Sequence, residues 1–233
     1  MQKLRVRYAK RGPLRFTSHR DFARAFERAV RRARLPIAYS AGFSPHPKIS
    51  YLGAAPTGVA SEAEYLEISL IEERDPDDIR AALDAALSPG LDIVDVVVAR
   101  GGSLPERIDA SLWEIALPGT SVAVAQQALS VFLGADSVLV QRRTKDGTRT
   151  LDARAQVRHA EIVPGGACAI LRCVVTQATP AVRPDDVLSG LREVAGLAPS
   201  APPEATRLAQ GLLDEAGRLA DPLAPDRAAP VAP

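Results

Sequence analysis

Ser18-His-Arg-Asp-Phe-Ala-Arg-Ala-Phe-Glu-Arg-Ala-Val-Arg-Arg-Ala-Arg34 reads as one helix with two unlike faces. Ser18, followed three residues later by Asp21, is a capping-box-like start in which Asp is a shorter substitute for the usual Glu or Gln, so the helix is expected from His19. At about 100° per residue, Phe22, Phe26, Ala29, Val30 and Ala33 fall within an arc of about 100°, and Arg20, Arg24, Arg28 and Arg31 within about 80° on the opposite side. The helix is expected to pack by the first face and to show a guanidinium row on the second. Such a row is commonly a solvated charged face. Here only Glu27 and Asp21 border it, and Arg31 alone has an acid four residues away, so the four arginines repel one another, which costs stability unless an anion meets them.

Upstream, Leu4, Val6 and Tyr8 alternate with Lys3, Arg5 and Arg7, the period of a half-buried strand. Arg11-Gly-Pro turns the chain, and Leu14-Arg-Phe16 is expected to resume it. Downstream, Pro36 ends the helix and Ile37-Ala-Tyr39 is extended. Gly42-Phe-Ser-Pro-His-Pro47 is too rich in proline for a central strand. It reads as a loop or bulged edge that fixes where Phe43, Ser44, His46 and Lys48 point. Phe43 either stacks on a base while a neighbouring cation meets phosphate, or plugs the core. Ile49-Ser-Tyr-Leu52 and the alternating Glu64 to Leu70 are strands separated by a Gly- and Pro-rich turn. Asp75-Pro76 opens a second helix with Ile79, Leu83 and Leu87 as its buried stripe, Pro89-Gly90 stops it, and Leu91 to Val98 is a strand.

Strand, helix, strand, strand, helix, strand is the ferredoxin-like order, an antiparallel sheet with both helices on one face. The second half repeats it more faintly, with strands at Leu112–Leu117 and Cys168–Val175, a helix at Val122–Phe132, a hairpin of Val138–Arg143 and Thr150–Val157 about a Lys145-Asp-Gly147 turn, and a helix opening at Arg183-Pro-Asp-Asp186. The expected fold class is α+β, with tandem ferredoxin-like (βαββαβ) modules built on antiparallel sheets. Residues 1–100 form the first module and 108–220 the second, with 221–233 a disordered Pro/Ala-rich tail.

The formal net charge of +1 conceals an asymmetry. Residues 1–50 hold thirteen Lys or Arg against Asp21 and Glu27, so that segment carries +11 and the remainder −10. A split of this size points to a basic surface for a polyanion such as RNA, or for an acidic partner. No run approaches the roughly 20 apolar residues of a membrane span, and the start alternates apolar with basic residues where a signal peptide has an apolar block. The expectation is a cytoplasmic protein without a membrane partner. Cys168 and Cys173 are separated by an odd offset that puts them on opposite faces of a strand, so buried free thiols are expected rather than a disulfide or metal pair. His19, His46 and His159 lie on separate elements, and neither a phosphate-binding glycine loop nor a dinucleotide fingerprint occurs. No cofactor and no metal are expected.

Three stretches carry a resemblance: Ser18 to Ala29, Tyr39-Ser-Ala-Gly-Phe-Ser-Pro-His-Pro-Lys-Ile-Ser50 and Gly58-Val-Ala-Ser-Glu-Ala-Glu-Tyr-Leu-Glu67. Over about residues 3–100 the chain resembles the radical-SAM-linked protein family, a domain of unknown function fused to, or encoded beside, a cobalamin-binding-type radical SAM protein. It departs from that pattern at Arg20 and Ala41. The resemblance implies a non-catalytic accessory role to a radical SAM partner, in modifying RNA. The chain cannot itself generate the radical, because an iron–sulfur cluster of that kind needs three cysteines on one short loop and this chain has two in a strand.

RNA or partner binding is therefore expected from Arg20, Arg24, Arg28, Arg31, Phe43, Ser44, His46 and Lys48. An enzymatic alternative rests on fold analogy with metal-independent endoribonucleases of tandem ferredoxin-like fold, in which a histidine near the basic first helix serves as general acid or base. His19 is the candidate, and a local hydrogen bond at the helix start is its ordinary role. A third alternative is a protein-docking module in which the arginine row meets acid on the radical SAM protein and never touches RNA.

Overall fold

The computed structural model describes residues 1–145 and 147–228. The chain forms two compact units, residues 1–107 joined by 221–233, and residues 108–220. Both mix helices with antiparallel sheet, as the α+β expectation requires.

In the first unit, β1 (Gln2–Lys10) leads through a 3₁₀ turn to α1 (His19–Arg32). Then follow β2 (Ile49–Tyr51), β3 (Ala60–Leu70), α2 (Pro76–Ala86) and β4 (Leu91–Val98). β1 lies between β3 and β4, with Val6 opposite Leu66 on one side and Val96 on the other, and β2 pairs with β3 through Ile49 opposite Ile68. Period-two alternation sends Leu4, Val6, Leu66, Ile68, Leu70 and Ile93 to one side of this sheet. There they join Phe22, Phe26, Ala29 and Val30 of α1 and Ile79 and Leu83 of α2 in one core. Leu14-Arg-Phe16 does not resume the strand. Gly12–Phe16 is the 3₁₀ turn, because Pro13 cannot donate to a ladder and Gly12 takes φ +51°.

Helix α1 begins as expected. The Ser18 hydroxyl oxygen accepts from Asp21 N–H at 3.2 Å and its O–H donates to the Asp21 carboxylate at 2.6 Å, the shorter acid reaching the cap's side chain. At the other end Leu35 N–H bonds Val30 C=O at 3.2 Å and Arg34 takes the left-handed conformation, φ +52°, where glycine is usual. Arg34→Gly is therefore expected to raise stability by about 0.5–1 kcal/mol, read as a later urea midpoint at unchanged m-value.

The second unit contains β5 (Ala110–Leu117), α3 (Val122–Gly134), β6 (Leu139–Thr144), β7 (Gly147–Asp152), β8 (Val157–Pro164), β9 (Ala169–Thr176), α4 (Pro184–Ala195) and β10 (Glu204–Gly211). Its strand order is β10-β5-β9-β8, with β6 and β7 as a separate hairpin. Helices α3 and α4 approach closely at Gly190, where a Cβ would lie 2.8 Å from the Phe132 ring. The hairpin differs from the expected one in its second strand. Asp152 accepts from Val138, Arg154 and Ala155 N–H at 3.0, 2.9 and 3.2 Å, which turns the chain at Ala153 so that Val157 enters β8 instead. Asp146 of the expected turn lies outside the described residues. Beyond α4 the chain forms β10, in which the buried Arg207 donates from Nη1 to Gln210 Oε1 at 3.2 Å.

Cys168 and Cys173 are free thiols. Burial pushes the Cys173 thiol up to about 12. A thiol reagent at pH 8 is therefore expected to leave Cys173 unmodified until the protein is denatured, a difference that mass spectrometry of labelled peptides reads directly.

The expected disorder from Asp221 onward is corrected for part of that segment. Ala224–Ala228 is a short helix, α5, with Leu223 fully buried. The order has an electrostatic cause, since the buried Asp226 carboxylate accepts from Arg5 Nη1 at 2.8 Å to both oxygens and from Arg107 Nη1 at 2.8 Å. Residues 229–233 of that expected tail lie outside the described residues. No helix among the described residues is long and apolar enough to cross a membrane.

Candidate nucleic-acid interface

Two groups of basic residues in the first unit differ. Those on β1 and at its end have partners within the fold. Lys3 and Arg5 meet Glu67 at 2.6 and 3.0 Å, Arg5 also holds Asp226, and Arg7 Nε donates to Glu62 C=O at 2.8 Å. Arg11 contacts Glu62 and meets Asp92 at 2.6 Å. The Glu62 hydrogen bond is the largest influence holding the Arg11 guanidinium in its charged form.

The arginines of α1 are different. Arg20, Arg24, Arg28 and Arg31 are all exposed, and among the described residues none makes an ion pair. Glu27 bonds none of them. The row is presented by a helix that the core holds on its other side. Phe22 stacks on Tyr8 at 4.1 Å between centroids, and Tyr51 of β2 meets Phe22 and Phe26 edge-on at 6.0 and 6.4 Å. The Tyr51 hydroxyl is shut off from solvent with no hydrogen-bond partner. Burial, with the Glu27 carboxylate second, raises its phenol well above the usual range.

After α1 the chain forms a closed-neck loop. Tyr39 bridges Pro47, Ser40 N–H donates to His46 C=O at 2.9 Å, and His46 N–H donates to Ser40 Oγ at 3.1 Å. The Ser40 hydroxyl and His46 Nδ1 share a further bond of 2.9 Å, so the imidazole is held within the loop. Gly42 sits at φ +122°, a conformation that side chains rarely adopt, and this turns Phe43 out at the tip. Phe43 is 111% exposed, which removes the core-plugging reading. Ser44 and Lys48 are exposed as well, with Lys48 N–H fixed to Ala38 C=O at 2.8 Å.

His19 stands at the exposed start of α1, its ring edge-on to Tyr51 at 5.2 Å. Among the described residues no hydrogen bond joins it to His46 or to a carboxylate, and no three His, Cys, Asp or Glu side chains gather in a way that could hold a metal ion. Two further aromatics are exposed. Phe16, 61% exposed, lies in the 3₁₀ turn where the sequence predicts a strand, and Tyr39, 50% exposed, lies in the segment that the sequence predicts only as extended. The Pro13 turn was the available signal for Phe16.

Among known proteins, a family model described as "Uncharacterized protein conserved in bacteria (DUF2344)" matches residues 3–184. No curated protein matches the chain. Among solved structures, the one titled "Crystal Structure of an Unknown Protein from Galdieria sulphuraria" is similar at 15% identity with a TM-score of 0.25, over 88% of this chain and 98% of that one.

Proposed function

The chain belongs to that family of uncharacterized proteins conserved in bacteria, and we propose that it binds RNA through the arginine face of α1 and the Gly42–Lys48 loop, as a non-catalytic accessory to a radical SAM enzyme. The observation that carries the reading is the division of the basic residues. Glu62, Glu67, Asp92 and Asp226 go to Lys3, Arg5 and Arg11, and among the described residues no carboxylate goes to the row on α1. Four like charges on adjacent turns raise the energy of the free protein, and a phosphate backbone relieves that repulsion while releasing counterions. Rigid presentation adds to it, because α1 is anchored by its aromatic face and the loop by its closed neck, so little order is lost on binding. The radical SAM partner rests on the resemblance carried by residues 18–29, 39–50 and 58–67.

The strand orders support a tandem ferredoxin-like architecture. In each unit the first strand is central, flanked by the last and the third, with two helices between strands. The hairpin β6–β7 is then an insertion in the second module.

Fluorescence anisotropy with a structured RNA transcript tests the reading. Replacing Arg24, Arg28 and Arg31 together with Ala is expected to weaken binding at least about tenfold at low salt, with the thermal midpoint kept or raised. Equal affinity in this variant overturns RNA binding by the row. Co-purification with a radical SAM protein that persists after nuclease treatment is expected if the accessory role holds, and its absence removes that role.

A further inference from the structure

The exposed aromatic residues bear on what kind of ligand the arginine row takes. The chain has one Trp, four Tyr and five Phe. Of these, only Phe16, Tyr39 and Phe43 are exposed, at 61%, 50% and 111%. All three flank α1 in the chain, Phe16 two residues before the Ser18 cap, Tyr39 and Phe43 seven and eleven residues after Arg32. Exposed rings are unfavourably hydrated, and their placement on both sides, in the chain, of arginines that make no ion pair among the described residues points to a shared ligand.

We propose that these three rings are stacking platforms and that the ligand of the arginine row is single-stranded RNA. The inference rests on the RNA reading above and specifies it. Phosphate contact alone needs cations and no rings. Bases within a duplex already have both faces stacked, whereas unpaired bases offer a free face to an aromatic side chain. The platforms are held in place. The Arg15 guanidinium lies over one face of the Phe16 ring, 5.0 Å from its centroid, and the ring stays 61% exposed. Gly58 N–H is bonded to Arg15 C=O at 2.8 Å, which fixes the backbone next to the ring. Tyr39 is fixed by its bridge to Pro47. From Arg20 to Arg31 the helix rises about 16 Å, and in the chain Phe16 precedes the first of these arginines while Tyr39 and Phe43 follow the last.

The test compares a fluorescein-labelled 12-nucleotide oligo(U) RNA with a 12-base-pair RNA duplex at one salt concentration. Oligo(U) is expected to bind about tenfold or more tightly than the duplex. In the Phe16→Leu, Tyr39→Leu, Phe43→Leu protein the oligo(U) affinity is expected to fall about fivefold or more per ring removed, with duplex affinity unchanged. If thermal melting shows the triple variant to be unfolded, Phe43→Leu alone serves, since that ring is fully exposed. Equal binding of the two RNAs, or an oligo(U) affinity that survives loss of the rings while the Arg24, Arg28, Arg31 variant loses it, overturns the inference and leaves the RNA reading standing. Binding of neither RNA overturns both and leaves an acidic protein surface as the partner of the row.

Discussion

Asp226→Ala is expected to lower the unfolding free energy by about 3–5 kcal/mol, because it removes a buried carboxylate shared by two guanidinium groups and a backbone amide. Arg5 is 1% exposed and Asp226 3%. The Asp226 carboxylate accepts from Arg5 Nη1, from Arg107 Nη1 and from the Arg100 N–H, each at 2.8 Å. Glu67 would remain on Arg5 Nε at 3.0 Å and the Gly102 carbonyl on Nη2 at 2.6 Å, yet Arg107 and the Arg100 amide would each lose an acceptor. The cost is also expected to depend on pH. Burial pushes the Asp226 carboxyl up, but the hydrogen bonds from Arg5, the Arg100 amide and Arg107 together outweigh it and hold it below its ordinary range. A depressed folded value means the contribution is complete above the unfolded pKa of about 3.9 and is lost as pH falls through the folded value. Urea melts between pH 7 and pH 2 should show that acid loss in the native protein and a flatter limb in Asp226→Asn. Parallel limbs would contradict it.

Phe26→Ala is expected to cost a comparable 3–5 kcal/mol, while Phe43→Ala, only seventeen residues away, should stay within about 0.5 kcal/mol. Phe26 is 0% exposed, tilted on Phe22 at 5.9 Å and met by the Tyr51 edge, so its removal opens a void that stacked rings cannot close. Phe43 contributes nothing to the core. The pair separates stability from binding. Losing Phe26 is expected to disturb RNA binding only through the seating of α1, so its affinity should recover with added osmolyte, whereas the Phe43 loss should not.

What the sequence made legible follows from where the cause of each feature lies. The start of helix α1 could be read to the residue and its two faces correctly, because the Ser18 cap, the Phe22 to Val30 stripe and the opposing arginines are all local, although the helix ends at Arg32, short of the expected Arg34. β4 and α2 were equally plain, the Asp75 cap and the Pro89-Gly90 stop being short-range signals. β10 was not legible, since its buried Arg207 takes its place through Trp113, whose ring centroid lies 5.4 Å away and 94 positions back. The order of Asp221 to Ala228 was hidden in the same way, because Asp226 finds Arg5 across a separation of 221 residues. At the candidate site the row of arginines was visible, but that none of them makes an ion pair among the described residues was not. That depended on where Glu62, Glu67 and Asp92 went. The direction of Phe43 was undecided for a related reason, since Gly42 and the Ser40–His46 neck set it together.

The central claim is that the guanidinium row on α1 is held open for phosphate. RNA affinity of the full chain measured across a tenfold range of salt tests it most directly. Four phosphate contacts predict that log K falls with log salt at a slope of about −3, reduced to about −1 when Arg24, Arg28 and Arg31 are replaced with Ala. A slope near zero in the native protein, or the same slope in both proteins, would contradict it.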